Sequence, residues 1–211
     1  MLNKLIGAAI LLFTLNAQSA DFVELQWEEL KPHPPEQVKL PDLSQAQIAQ
    51  LQEVLNLAMS EQEKDKAELA KVKANLRLDG IDADKVLALR QQYIEQQELA
   101  ALALTSAHDG KLVRMPGFLV PLEFSESMVG TDFLLVPYAG ACIHMPPPPA
   151  NQIVRVSFPK GFKLKNYKYP VWVEGVISSN LKTENLYIVD GYSDLTMGYT
   201  MSASLIEDYE Y

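Results

Sequence analysis

Residues 110–211 constrain the fold most strongly, because they contain short apolar runs and turn-forming residues but no helical pattern. The runs span residues 112–122, 132–138, 152–158, 170–177 and 198–206. The turn signals between them are Gly130, Gly140, Pro159-Lys160-Gly161, Ser178-Ser179-Asn180 and Asp190-Gly191. Short strands without intervening helices predict a small antiparallel β-barrel or sandwich over residues 110–211, and we expect an OB-like barrel.

Residues 44–104 have helical periodicity instead. Ser44 followed by Gln47 has the spacing of a capping box, so a helix is predicted to begin there. Apolar residues then recur at three- and four-residue steps, with a break at Asp79-Gly80 and a new N-cap at Asp82. We predict a helical hairpin or three helices and hence an α+β fold. Because no strict heptad persists, helices that pack on one another or on the β-domain are favoured over a coiled-coil arm that binds a partner.

Residues 21–43 form a proline-rich stretch that we call the docking segment. Its prolines remove backbone donors and push the preceding residues out of helical conformation, so the segment is predicted to be extended. Trp27 and its apolar neighbours are expected to dock it on the main body. His33 lies between prolines, which favours a solvated loop histidine over a metal ligand.

Residues 1–20 have the three parts of a secretory signal peptide: Lys4, an apolar run and small residues before Asp21. The apolar run is too short to span a membrane comfortably, and no later stretch is apolar enough to do so. We therefore expect a soluble exported protein, most simply periplasmic, with no membrane span in the mature chain. The formal charge of −9 argues against a nucleic-acid partner.

The stretch from Phe133 to Val156 contains the only cysteine, Cys142, together with His144 and four consecutive prolines. An exported protein with one cysteine forms no internal disulfide, so this thiol is buried, metal-bound, reactive or paired with another chain. The prolines favour extended backbone, which places Cys142 and His144 on one side with α-carbons roughly 6.5 Å apart. That spacing suits a shared metal ion, either zinc or copper.

Two ligands are only half of a metal site. We predict Cys142, His144 and His108 as its ligands. His33, Glu123 and Asp132 are alternative donors, whereas a softer site for Cu(I) would use methionines. The candidate methionines are Met115, Met145, Met197 and Met201.

The same Cys142–His144 pair has two other interpretations. In one, the histidine activates the cysteine as a nucleophile. In the other, the thiol is simply buried and backbone carbonyls satisfy the histidine, which is the more common situation for a free cysteine. The polar pair Asn151 and Gln152 is expected to serve backbone hydrogen bonds at the exit of the loop.

Several stretches of the chain resemble a family of exported bacterial proteins catalogued as a domain of unknown function (DUF). They are VRMPGFLVPLE (113–123), FLLVPYAGACIHMPPPPANQIV (133–154), VWVEGVI (171–177) and GYTMSASLIEDY (198–209), together with the early segment Trp27-Glu28-Glu29-Leu30. The resemblance implies a periplasmic or secreted protein, sometimes encoded beside ABC transporter components. Cys142, His144 and the prolines stand at the family's motif positions.

We therefore predict a periplasmic binding or accessory protein, associated with transport and carrying a zinc or copper site at Cys142 and His144. Its partner would be an ABC transporter or another envelope protein, and no catalytic residues are assigned. The first alternative is a thiol-dependent envelope enzyme that uses Cys142 and His144. The second is a non-catalytic structural interaction module built on the helices and the proline loop.

Overall fold

Three helices precede a six-stranded mixed sheet, which confirms the predicted α+β class. The computed structural model describes residues 22–33, 37–122, 129–141, 147–166, 168–188 and 191–209. The helices are α1 (Gln45–Ala58), α2 (Glu63–Leu78) and α3 (Ala83–Leu102). The strands are β1 (Val23–Glu24), β2 (Leu112–Pro121), β3 (Val129–Val136), β4 (Val154–Lys163), β5 (Pro170–Ile188) and β6 (Gly191–Asp208). The predicted signal peptide lies outside the described residues.

The caps predicted for the helices are present. The Ser44 hydroxyl accepts a hydrogen bond from the Gln47 backbone N–H, and the Gln47 side chain accepts from the Ser44 backbone N–H. The Asp82 carboxylate accepts from the backbone N–H groups of Asp84 and Lys85 at the start of α3. These side chains satisfy donors that have no partner inside a helix, so the local sequence is sufficient to place both helix starts.

The helices pack on one another around a small apolar cluster of their own, as expected. Its buried members are Leu51, Val54, Val72, Leu76 and Ala83. Several apolar side chains of the helices stay outside this cluster, and Leu78 is 87% exposed. Among the described residues, no helix is both long and apolar enough to cross a bilayer.

The docking segment is tied to the sheet along its first part. Val23 and Glu24 pair in parallel with Val113 and Arg114 of β2. Trp27 is buried in a 3₁₀ turn that spans Trp27–Leu30, and its indole N–H donates to the Pro116 carbonyl at 2.8 Å. The prediction that Trp27 anchors this segment is therefore confirmed.

The sheet has the order β1-β2-β3-β4-β6-β5, with an additional pairing between β2 and β5. It is mixed rather than antiparallel throughout, because β1 lies parallel to β2 and β4 lies parallel to β6. The second parallel pair arises from chain order: β5 and β6 form a hairpin, and β6 rather than β5 lies beside β4. The expectation of a small antiparallel β-barrel is therefore not confirmed, because the described strands form a mixed sheet that is antiparallel except at these two pairs.

Strand β2 changes partner near Gly117. Residues 112–118 pair with β5, and residues 118–121 pair with β3. A Cβ atom at Gly117 would lie 2.7 Å from the Leu135 side chain and 2.9 Å from the Val136 carbonyl oxygen. Only glycine lets the backbones approach this closely at the point where one strand serves two neighbours.

The β5–β6 hairpin is longer than the sequence predicts. Ser178-Ser179-Asn180 lies inside β5, and a shift of register between Ser179 and Lys182 accommodates the extra residues. Beyond this bulge the hairpin continues with hydrogen-bonded pairs across its strands, including Thr183 with Thr196. Polar residues that resemble a turn in sequence are tolerated here because a bulge absorbs them without ending the ladder.

The hairpin extension creates a second apolar layer. One face of β3 contributes Phe133 and Leu135 to the interior cluster of the sheet, and the opposite face contributes Leu134 and Val136 to what we call the outer cluster. The buried residues of the outer cluster are Val120, Leu122, Leu134, Val136, Ala141, Ile153, Ile188, Leu195 and Met197. Strand β3 is thus buried on both faces, which explains its continuous apolar run.

Candidate functional site

The segment that carries the cysteine and the prolines enters and leaves through buried anchors. Residues 142–146, which include Cys142, His144 and Met145, lie outside the described residues. Before them, Ala141 is fully buried in the outer cluster. After the prolines, a 3₁₀ turn at Ala150–Gln152 is buried against β6 and the end of α3. The two ends of the segment are therefore held by packed structure.

Asn151 links this 3₁₀ turn to the last turn of α3. Its side-chain Nδ2 donates to the carbonyl oxygens of Ala100 at 2.7 Å and Ala103 at 3.1 Å. The last carbonyls of a helix have no partner within the helix, so this amide acts as a C-terminal cap. The prediction that Asn151 serves backbone hydrogen bonds is confirmed.

Gln152 links the same turn to the docking segment. Its side-chain Nε2 donates to the Trp27 carbonyl at 2.8 Å and also to the Asn151 carbonyl at 2.8 Å. Gln152 is 5% exposed, so these bonds are made in an interior that water reaches poorly. The prediction for Gln152 is confirmed as well, and the two amides join the turn to elements that are distant in sequence.

Tyr199 of β6 completes this junction, although no motif in the sequence pointed to it. Its hydroxyl donates to the Leu30 carbonyl at 2.7 Å and accepts from the Thr105 backbone N–H at 2.8 Å. Tyr199 is 1% exposed, and burial raises the pKa of its phenol above the ordinary value. The available sequence signal was strand alternation, which places Tyr199 on the same face as Met201.

An open cleft lies beside this junction, between the docking segment and the end of α3. It has a volume of about 360 Å³. It is lined by Lys31, Pro32, His33, Gln37, Gln97, Ala100, Ala101, Ala103, Pro149 and Asn151. The Oδ1 atom of Asn151 is buried and has no hydrogen-bond partner within the part of the chain that the structure describes. The cleft therefore borders the exit of the proline run.

The model of a protein family described as "Protein of unknown function (DUF3299)" matches residues 27–208. The chain belongs to the DUF3299 family. The predicted resemblance to a family of unknown function is thereby confirmed at this level. The chain is also similar to a solved structure of a DUF3299 protein from Pseudomonas aeruginosa PAO1, with 30% identity and a TM-score of 0.51. The similarity covers 90% of this chain and 98% of that one. No curated protein matches the chain significantly.

The histidines proposed as further metal ligands lie in different places of this DUF3299 protein. His108 is in the turn after α3, and its Nδ1 atom is buried with no hydrogen-bond partner among the described residues. The next residue, Asp109, accepts from the backbone N–H and hydroxyl of Ser179, which fixes the turn on β5. His33, in contrast, lines the cleft together with Pro149.

The other candidate ligands that the structure describes have surroundings that account for them. Asp132 lies 3.8 Å from Arg155 in an ion pair, and Glu123 lies outside the described residues. Met115 and Met201 pack in the interior cluster, and Met197 packs in the outer cluster. Within the described ranges, no group of three His, Cys, Asp or Glu side chains is arranged to hold a metal.

The sequence also did not predict a charged cluster that lies on the surface of the sheet. Glu184 of β5 pairs with Arg155 of β4 and with Lys182, beside a depression of about 250 Å³. The hydrogen bond from Lys182 and the charge of Arg155 together hold the pKa of the Glu184 carboxyl below its usual value. Because Arg155 of β4 reaches Glu184 of β5 only through the β4–β6–β5 pairing, no local sequence pattern identified the cluster.

Proposed function

We propose that this chain is an exported binding or accessory protein that acts in the periplasm. The observation that carries the proposal is the junction around the cleft. Asn151, Gln152 and Tyr199 fix three separate elements around a concave surface that borders the proline run. A rigid frame around an open cleft is typical of a binding site.

We also propose an OB-like arrangement for the strands. The pairing of β2 with both β3 and β5, and the parallel β4–β6 pair, support it. The proposal concerns architecture only, since one fold hosts many functions.

The metal proposal is that Cys142 and His144 bind zinc or copper, with His108 as a third ligand. A thiolate and an imidazole are the donor types that these metals prefer. Support comes from the buried Nδ1 of His108, which lacks a partner among the described residues. A buried acceptor or donor without a partner is costly, and a metal would remove that cost.

Metal analysis of the mature protein, purified without a histidine tag, tests this proposal. We expect stoichiometric zinc or copper in the wild type and its loss in Cys142→Ser and His144→Gln. Absence of stoichiometric metal from the wild type, or equal metal in Cys142→Ser, would refute it. Parallel His108→Gln and His33→Gln variants identify the third ligand, since only the true ligand lowers metal content.

The transport partner follows from the family resemblance and is proposed on that basis. We expect in-cell crosslinking to capture a component of an ABC transporter or another envelope protein. The control is a strain that lacks this protein. If the same crosslinked species appear in both strains, the partner proposal is contradicted, and the metal proposal is unaffected.

A structural interaction module is a second candidate, favoured by the exposed apolar side chains of the helices. Met59 and Leu78 are 77% and 87% exposed, and a groove of about 480 Å³ lies between α1, α3 and the docking segment. If the helices bind a partner, Leu78→Ser should abolish the crosslinks without lowering stability. Unchanged crosslinks would argue against this surface.

A further inference from the structure

The groove of about 480 Å³ between α1, α3 and the end of the docking segment has mainly apolar walls. Its described apolar lining residues are Leu40, Pro41, Leu43, Ile48, Leu51, Leu55, Val86, Leu87, Tyr93 and Ile94, and its polar ones are Asp42, Gln52 and Arg90. All of them lie in the continuous described range 37–122. A volume within about 300–1,000 Å³ and a mainly apolar lining are the properties of a site for a small apolar molecule.

The apolar side chains of this groove are only partly covered by the protein itself. Leu51 belongs to the packed helical cluster and is 6% exposed. Ile48, one turn earlier on α1, is 44% exposed, and Leu40 on the opposite wall is 43% exposed. An apolar chain that lies along the groove removes this surface from water, and the gain in free energy grows with the area covered.

One cation stands within the apolar stripe of α3. Val86, Leu87, Arg90, Tyr93 and Ile94 recur at three- and four-residue steps and line the groove, so Arg90 lies at the centre of the helix face that borders it. Arg90 forms no ion pair with any carboxylate that the structure describes. An arginine placed among apolar side chains is complementary to a ligand that joins an apolar chain to an anionic head group.

The docking segment forms the opposite wall of the groove in a fixed register. The Val38 backbone N–H donates to Gln96 Oε1 at 2.9 Å, and the chain then passes the earlier turns of α3. The groove is therefore separate from the cleft beside the proline run, which borders the later residues of α3. Asp42 is the acidic residue among the described lining residues. It lies two residues before the N-cap Ser44, where the positive end of α1 offsets part of its charge.

We propose that this groove binds a free fatty acid of medium chain length. The alkyl chain lies along the apolar walls between α1 and α3, and the carboxylate pairs with the Arg90 guanidinium at the rim. Arg90 is exposed, so the head group stays in contact with water while the chain is covered. The inference goes beyond the binding function proposed above, because it concerns a different surface and another class of ligand.

The size of the groove favours a single alkyl chain over a helix of a partner protein. A helix with its side chains is about 10–12 Å across, so about one turn would fill the whole volume. The exposed Met59 and Leu78, which a partner protein would use, are not among the residues that line the groove.

Decanoate is the probe. Its binding to the mature protein is measured by isothermal titration calorimetry below its micelle concentration, at about 0.15 M salt. Hexanoate has the same head group on a shorter chain and should bind at least about tenfold more weakly, because fewer methylenes are covered. Decyltrimethylammonium has the same chain with a cationic head group. It should bind at least about threefold more weakly, because Arg90 repels it even though the whole chain has a formal charge of −9.

A pair of charge variants tests the head-group contact. Arg90→Gln should weaken decanoate binding by about two- to fivefold, since an exposed ion pair contributes little. It should leave the ratio of decanoate to hexanoate affinity unchanged. The matched control is Arg77→Gln, which removes the same charge from an exposed position of α2 outside the groove and should bind decanoate like the wild type.

A groove-filling variant tests the contact with the alkyl chain. Because Ile48 is 44% exposed, a larger side chain there extends into the groove without entering the packed cluster. We expect Ile48→Trp to lose decanoate binding at unchanged Tm. Asn56→Trp, at an exposed position of α1 that does not line the groove, is the control and should bind like the wild type.

Three results would overturn the proposal: no detectable decanoate binding by the wild type, equal affinity for decyltrimethylammonium, or wild-type affinity in Ile48→Trp. An equal effect of Arg90→Gln and Arg77→Gln would also overturn it, since net charge rather than the groove would then select the head group. If Ile48→Trp lowers Tm, the comparison of the two arginine variants decides. Metal content and crosslinking do not enter these measurements, so the outcome is independent of the metal and partner proposals.

Discussion

Tyr199→Phe tests the junction on which the candidate site depends. The substitution removes one oxygen atom and leaves the ring that packs in the interior cluster. The wild-type hydroxyl donates to the Leu30 carbonyl and accepts from the Thr105 N–H, so both backbone groups lose their partner. The variant therefore isolates the hydrogen bonds that join the docking segment and the α3–β2 connection to β6.

The expected loss of stability is about 2 kcal/mol. A buried polar group left without a partner costs about 1–3 kcal/mol. The Leu30 carbonyl should account for most of the loss, because Leu30 is 0% exposed. Thr105 is half-buried, so water replaces part of its lost bond. Removal of the hydroxyl also relieves its own burial cost, which keeps the total below the sum of two full penalties.

Equilibrium urea denaturation of the mature protein measures this loss. With a slope of about 2 kcal/mol/M, the midpoint should fall by about 1 M. The matched control is Tyr192→Phe on the β5–β6 hairpin, where the side chain is 75% exposed and the expected change is within about 0.5 kcal/mol. If Tyr199→Phe also stays within about 0.5 kcal/mol of the wild type, the junction does not have the role assigned to it.

The free energies of unfolding of the wild type and of Tyr199→Phe should respond differently to alkaline pH. The folded-state pKa of Tyr199 is raised above the ordinary value of 10.0, chiefly by burial. Its stabilising effect is full below the unfolded pKa and is lost as pH rises from about 10 toward the folded pKa. The gap in free energy of unfolding between wild type and Tyr199→Phe should thus narrow above about pH 10, and a constant gap would contradict the assignment.

Three further substitutions have defined outcomes. Gly117→Ala places a methyl group against the Val136 carbonyl and should lower the free energy of unfolding by about 1–2 kcal/mol, as measured by urea denaturation; a neutral result would contradict the close approach. Glu184→Gln removes the carboxylate whose pKa is lowered. In acid denaturation, the wild type should lose the stability that this carboxylate contributes as pH falls below about 4.5, and the variant should show no such loss. Asn151→Ala leaves two helix carbonyls without a donor and should cost about 1–2 kcal/mol, with faster amide hydrogen exchange confined to the last turn of α3. If amide hydrogen exchange instead becomes faster by the same factor along the whole of α3, the capping role is refuted.

Local rules predicted the helical part of the chain well. The caps at Ser44 and Asp82 and the break near Gly80 follow from residues that act on their immediate neighbours. Trp27 was also predicted to dock, because a large apolar side chain in a proline-rich stretch has few alternatives, although its partner Pro116 lies far along the chain. At the caps and at the break, the determining interactions lie within a few residues along the chain.

Prediction was poorer where the local structure depends on pairing with strands that are distant in sequence. The sequence suggested a turn at Ser178-Ser179-Asn180, but cross-strand pairing with β6 continues through these residues and converts them into a bulge. The parallel β4–β6 pair was not predicted either, because strand order depends on which edge is free once the other strands have paired. Neither feature has a signature in the residues themselves.

By itself, the sequence determined the α+β class, the helix starts, the anchoring tryptophan and the backbone role of the Asn151-Gln152 pair. Only the tertiary structure decided that Tyr199 joins three elements, that β3 is buried on both faces, and that the docking segment and the end of α3 enclose a cleft beside the proline run. The physical reason is the distance along the chain over which the deciding interactions act. Caps and turns depend on neighbours along the chain, whereas a cleft exists only after segments far apart in sequence have packed together.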